Sequence, residues 1–218
     1  MSTRVAYMPL ATFPEYMPLA TYPESVTDSA ILAAAGLATA LGFELHVRTF
    51  SVAIPPMHSA LGGLLLDVPG LVRAAEEKSK AECQRLKGLL EGPTELRARV
   101  HYSTRQVVLG AVLDAAAAEA RYYDLSVLPW SGGTVLAQNM SEAVVFGSGR
   151  PAILVPPLAH PAILDHIAIA WDASRVAARA LGDAARRIDA AAIGGKPAAP
   201  PSAADRTAAG RGSTCIWH

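Results

Sequence analysis

The sequence predicts an α/β protein: a three-layer sandwich with helices on both faces of a five-stranded parallel sheet. Two observations predict it. Up to Pro157, short apolar segments alternate with amphipathic helical stretches in the order βαβαβαβαβ, and a strand that returns to its sheet through a helix runs parallel to the last, with a right-handed crossover. Hydrophobic residues are 51% of the chain and aromatics only 6%, so the core is built mainly from Ala, Val, Leu and Ile. That composition suits helices packed on a buried sheet.

The N-terminus carries a tandem duplication, YMPLATFPE at Tyr7–Glu15 and YMPLATYPE at Tyr16–Glu24. Two nine-residue copies are too few to stack as a solenoid, and only one can supply the first strand. The first is the better candidate, because Arg4–Leu10 is apolar apart from Pro9, whereas Pro14 precedes the second. A helix follows: Ser25, Thr27, Asp28 and Ser29 offer N-cap oxygens, Ile31, Leu32, Ala35, Ala38 and Leu41 recur at helical spacing, and Gly42 closes it.

Phe43–Val52 is the second strand, and Ile54–Pro69 is a Pro/Gly-rich loop. Gly70–Gly92 is a long helix with Val72, Ala75, Ser79, Cys83, Leu86 and Leu90 on one face, which makes Cys83 a buried hydrophobe rather than a reactive thiol. Glu95–Ser103 is assigned as the third strand and Thr104–Arg121 as the third helix. Tyr122–Pro129 is then the fourth strand, Gln138–Gly147 the fourth helix and Pro151–Val155 the fifth strand. The simplest arrangement is a flavodoxin-like, Rossmann-like order, 3-2-1-4-5.

Residues 1–157 thus make one domain, and 158–162 a linker. Residues 163–187 repeat a strand and a helix, reading as the start of a second, truncated copy. Residues 188–218 are rich in Ala, Gly and Pro, with few large apolar residues, and are expected to be disordered. The abrupt change near Ala184–Ile188 is what a shifted reading frame would produce.

Several function classes are disfavoured. Lys+Arg and Asp+Glu are both 19, so the basic excess that nucleic-acid binding requires is missing. No apolar run reaches membrane-spanning length. Two cysteines, Cys83 and Cys215, make no disulfide framework, which points to the cytoplasm. His46 and His101 fall on neighbouring strands, but no two of the six histidines share one element at ligand spacing, so no metal is expected.

The stretch Tyr122–Pro157 concentrates the functional question. The loop after its strand lies at the carboxyl edge of the sheet, where ligands bind. It contains Trp130, Ser131, Gly132, Gly133 and Thr134, followed by Gln138, Asn139 and Ser141. These hydroxyls and amides, with a helix N-terminus, suit a small anion; a glycine turn with a capped helix accounts for them equally. Thr12 or Thr21, after the first strand, is a second polar cluster facing the same edge. Gly147-Ser148-Gly149 lacks the G-x-S-x-G spacing of a nucleophile turn and sits at the amino edge, so it reads as a helix C-cap.

The arrangement resembles the universal stress protein family. The resemblance rests on Tyr123-Asp124-Leu125-Ser126-Val127, Met140-Ser141-Glu142-Ala143-Val144 and Arg150-Pro151-Ala152-Ile153-Leu154-Val155 in that order, and on IAIAWDASRVAARAL in the partial second copy. It implies a tandem-type member of a stress-linked binding or regulatory family, not an enzyme. Nucleotide-binding members carry G-x2-G-x9-G-[ST] after the fourth strand. Aligned on the helix, its positions fall on Leu125, Leu128 and Gln138-Asn139. Aligned on the strand, they fall on Pro129 and Gly132, with the remaining loop about four residues too short. The family's first-strand Asp is replaced by Leu10-Ala11-Thr12, and only Asp172 of the partial copy matches it.

The resemblance therefore implies a domain without the usual ATP loop and with no cofactor. An ATP-binding member with a non-standard loop is the alternative, and a small hydrolase the more distant one. An exposed last strand, Pro151–Val155, is expected to pair with a second copy as a homodimer.

Overall fold

The computed structural model describes residues 3–12, 26–55, 67–108, 110–131, 134–157, 174, 175, 178, 179, 182 and 215–217. The elements are β1 (Val5–Ala11), α1 (Asp28–Ala40), β2 (Glu44–Ala53), α2 (Val68–Glu91), α3 (Thr94–Arg97), β3 (Val100–Val108), α4 (Val112–Ala120), β4 (Leu125–Pro129), α5 (Val135–Ser148), β5 (Ala152–Val155) and β6 (Cys215–Trp217). The first five strands are parallel in the expected order β3-β2-β1-β4-β5. The first copy of the N-terminal duplication supplies β1; the second copy, like the linker, lies outside the described residues.

Local chemistry sets the helix ends. Thr27 caps α1 by accepting from the Ala30 amide. At the other end the Phe43 N–H donates to Ala38 O and the Gly42 N–H to Thr39 O, with Gly42 at φ +79°. This double bond pattern needs a left-handed residue, which glycine adopts without a Cβ clash. Asp67 caps α2 through the Gly70 amide, with Pro69 in the first turn.

Strand alternation divides the core in two. Ala6, Met8, Leu10, Leu45, Val47, Val127 and Val155 pack against α1 and α2. Tyr7, Phe50, Val52, Val107 and Leu128 pack against α4 and α5. The predicted stripe on α2 is the buried one: Ala75, Ser79, Cys83, Leu86 and Leu90 all face the core.

Three expectations need correction. The third strand is Val100–Val108, not Glu95–Ser103, and the following helix starts at Val112, not Thr104. Glu95–Arg97 instead belong to the short α3. The β-branched Thr104, Val107 and Val108 extend a nine-residue ladder on β2, from Leu45↔Val100 to Ala53↔Val108. Second, the helix after β4 starts at Val135 rather than Gln138.

Third, the tail is not wholly without structure. Its residues Cys215–Trp217 form β6, antiparallel to β5, with Ala152 opposite Trp217 and Leu154 opposite Cys215. The outer edge of β5, expected to pair with a second copy, is therefore paired within the chain. The physical demand is the same: an unpaired strand edge needs a partner.

Among the described residues, the sheet opens between β1 and β4. The Asp124 N–H donates to Val5 O, so the odd-numbered residues of β1 turn their backbone groups toward β4. Pro9 is odd and has no N–H. The β1–β4 ladder accordingly runs only through Ala6↔Leu125 and Tyr7↔Ser126, while β1 stays paired with β2 as far as Ala11.

Candidate functional site

Past the last β1–β4 rung lies a crevice at the carboxyl end of the sheet. In a doubly wound sheet this is the position where the chain's crossovers change direction, and where ligands bind. Its walls are Pro9, Leu10, Ala11, Leu128 and Pro129 from the strands and Leu136, Ala137, Met140 and Ser141 from α5. Its cavity volume among the described residues is about 30 Å³, room for roughly two waters. The walls are mostly apolar, and the prolines on both strands offer no amide donors. Glu82 reaches the crevice from α2, and its carboxylate is held by Arg85 at 2.8 Å.

The predicted site residues separate into three groups. Ser131 and Thr134 stand in the chain between the wall residues Pro129 and Leu136 and are tied to each other: the Thr134 hydroxyl donates to Ser131 O at 3.2 Å. Both are buried, and the Ser131 Oγ has no hydrogen-bond partner among the described residues. Thr134 occupies the N-cap position of α5, but its side chain makes no capping bond to the first-turn amides. Ser141, also buried, lies two turns into α5 against the crevice.

Gln138 and Asn139 do not join this group. Because α5 begins at Val135, they belong to its second turn and are exposed. The Gln138 N–H is spent on Thr134 O, and its side-chain amide donates to Glu142 at 2.8 Å. Gly132, Gly133 and Asp172 lie outside the described residues.

Thr12, a second sequence candidate, is a structural tie. Its hydroxyl donates to Phe50 O at 2.8 Å and contacts the Ser79 hydroxyl at 2.7 Å, while Ser79 accepts from the Val52 N–H at 3.0 Å. Thr12 and Ser79 are both almost fully buried. This knot satisfies polar groups at the carboxyl ends of β1 and β2 that would otherwise be buried unpaired. Ser148 Oγ accepts from the Arg150 N–H at the exposed end of α5, whose C-cap is Gly149 at φ +65°.

Two features go beyond the sequence reading, which places His46 and His101 on neighbouring strands but names none of the groups around them. Ser126, mid-strand on β4, is fully buried and its Oγ has no hydrogen-bond partner among the described residues; a lone serine in the apolar run LSVLP is its only signal. The second is a polar row at the opposite, amino end of the sheet. Tyr7, His46 and His101 are register neighbours across β1, β2 and β3. The His46 and His101 rings lie 4.8 Å apart, and Tyr123 stacks on Tyr7 at 4.7 Å. One step along, Glu119 accepts from Arg48 at 2.9 Å, Arg105 at 2.6 Å and the Tyr7 hydroxyl at 3.3 Å. Burial, and then the Glu119 charge, push the Tyr7 hydroxyl well above the usual tyrosine range. Burial, then His101, hold His46 below the ordinary histidine value.

No family model matches the sequence, and no curated protein matches it. The solved structures similar to the chain include three universal stress proteins. A universal stress protein from Archaeoglobus fulgidus DSM 4304 is 16% identical over 93% of this chain and 70% of its own, with a TM-score of 0.48. The universal stress protein UspA from Lactobacillus plantarum is 11% identical over 71% of this chain and 99% of its own, with a TM-score of 0.42. A universal stress protein solved in complex with cAMP is 20% identical over 71% of this chain and 98% of its own, with a TM-score of 0.32.

Proposed function

We propose that this chain is a stress-linked binding or regulatory protein of the universal stress protein kind, without catalytic activity of its own. In this reading it does not hold ATP in a glycine-loop cradle. The observation that carries the reading is the crevice between β1 and β4. It stands at the ligand position of this topology, yet it is walled by Pro9 and Pro129 and has a volume of about 30 Å³ among the described residues. A phosphate cradle needs convergent backbone amides. Here two wall positions lack the donor, and beside Pro129 and Leu136 in the chain stand the Ser131–Thr134 turn and first-turn amides of α5 that the Thr134 side chain does not cap. That turn suits a small polar or anionic ligand better than a nucleotide. The ordered family-like phrases on β4, α5 and β5 supply the stress-protein half of the proposal.

Equilibrium binding of labelled ATP tests it. The expected result is no saturable binding at micromolar concentration. Micromolar affinity would establish the alternative, a nucleotide-binding protein with a non-standard loop. Turnover of phosphate or acyl esters would overturn the non-catalytic reading. The cytoplasm remains the proposed compartment, supported by the free, buried thiol of Cys83. Among the described residues, no helix is long and apolar enough to cross a membrane. A dimer through β5 requires release of β6 from that edge; light scattering on the full chain reads whether one forms.

A further inference from the structure

We propose that Glu44, His46 and His101 form a binding site for a divalent transition-metal ion of the zinc class, set across the β2–β3 ladder at the amino end of the sheet. This site is distinct from the crevice and does not depend on the function proposed for it.

The placement follows from strand geometry. Glu44 and His46 are two apart on β2, so their side chains leave the same face of the sheet. His101 is the register partner of His46 on β3, which puts the two imidazoles side by side. The ligand atoms of all three residues lie within 4.8 Å of one another. A tetrahedral zinc with bonds of about 2.0–2.1 Å places its ligands about 3.4 Å apart. Closure therefore needs movements of about 1.4 Å or less, within reach of side-chain rotation. His101 and Glu44 are free to make it, their side chains being 55% and 43% exposed. His46 is the fixed member, packed against the Tyr123 ring at 5.5 Å.

The donor set selects the ion class. Two imidazole nitrogens and one carboxylate oxygen suit zinc and its neighbours, whereas calcium and magnesium favour oxygen-rich shells. Three protein ligands leave a fourth position for water, on a side open to solvent. The opposing charge is Arg48, two residues along the same face from His46. Glu119 holds it at 2.9 Å and also binds Arg105, which limits its repulsion of an incoming cation. The His101 Nε2 lies 3.8 Å from a Glu44 carboxylate oxygen, so two of the three ligands already face each other. The consequence of binding is a clamp: β3 is the outer strand of its side of the sheet, and the ion would tie it to β2.

The test is calorimetric titration of the full, tag-free chain with zinc chloride alone. One equivalent of ion is expected to bind. His101→Ala and His46→Gln are each expected to weaken binding by about tenfold or more, and Glu44→Gln by less, while His58→Ala leaves it unchanged. Cobalt substitution is expected to give the visible absorption of a tetrahedral ion, which is lost in His101→Ala. A zinc concentration about a hundredfold above Kd raises Tm by roughly 5 °C in the parent chain and not in His101→Ala. Absence of binding to the parent chain at millimolar zinc overturns the proposal. So does binding that survives both histidine substitutions in proteins whose circular dichroism is unchanged.

Discussion

The carboxyl and amino ends of this sheet are closed by opposite means. At the carboxyl end, between β1 and β4, the walls are mostly prolines and aliphatic side chains, with the Thr12–Ser79 knot and the Ser131–Thr134 turn among the buried polar groups of that end. At the amino end, across β1, β2 and β3, the residues are Tyr7, His46, His101 and Glu44, with the Glu119 ion pairs beside them and solvent in reach. The contrast separates two kinds of stability. The carboxyl end depends on excluded water, so it tolerates little loss of volume or of a buried partner. The amino end depends on charges near water, where each contact contributes less and responds to pH and ions.

The largest break in that contrast comes from Leu128→Ala at the crevice wall. Leu128 is fully buried on β4, and its truncation is expected to cost about 2–5 kcal/mol. Urea denaturation reads this as a lower midpoint at unchanged slope. A cost below about 1 kcal/mol would mean that the carboxyl end is loosely packed and that the two ends do not differ as described.

Ser79→Ala comes next. It removes the acceptor of the Val52 N–H and the neighbour of the Thr12 hydroxyl, both buried. The expected loss is about 1–3 kcal/mol, with faster hydrogen exchange at the Val52 amide. An unchanged exchange rate there would show that the knot does not protect this end of β2.

The smallest effect is expected at the amino end. Tyr7→Phe deletes one 3.3 Å hydrogen bond to Glu119, which keeps both arginines, and should cost less than about 1 kcal/mol near neutral pH. The pH dependence carries more information. Because the folded-state pKa of Tyr7 lies above its ordinary value of 10.0, the folded protein keeps a proton that the unfolded chain releases near that value. This contribution is whole below about pH 10 and is lost as pH rises further. Urea midpoints at about pH 8 and about pH 10.5 should therefore fall less in Tyr7→Phe than in the parent chain. Equal falls would show that Tyr7 is not held protonated.

Much of the fold was legible because it is written locally. The apolar stripe of α2, the cap and glycine stop of α1 and the βα alternation each depend on residues a few positions apart, and the helical crossovers make the strands parallel, with 3-2-1-4-5 the simplest order. The misassigned boundaries have the opposite cause. Thr104–Val108 lie next to alanine-rich sequence with a helical period, and only nine rungs against β2 make them strand. Val135–Ala137 looked like loop because the glycines before them drew the boundary late, although the helix begins just past Thr134. The strand Cys215–Trp217 was not legible in the low-complexity tail because the β5 edge that pairs with it is far away in sequence.

For the sites, one proline is decisive. That Pro9 has no N–H is a property of the residue itself, so once β1 is placed beside β4 the ladder must end there and a crevice must open. The sequence alone determined the missing donor, and with it the prolines from which the proposal of a crevice without a phosphate cradle starts. The meeting of Glu44, His46 and His101 was decided by tertiary structure. A period of two tells which face a side chain leaves, but not which residue of the next strand stands opposite. That depends on register, and the register of β2 on β3 is set by the whole ladder and the cores packed on either side of it.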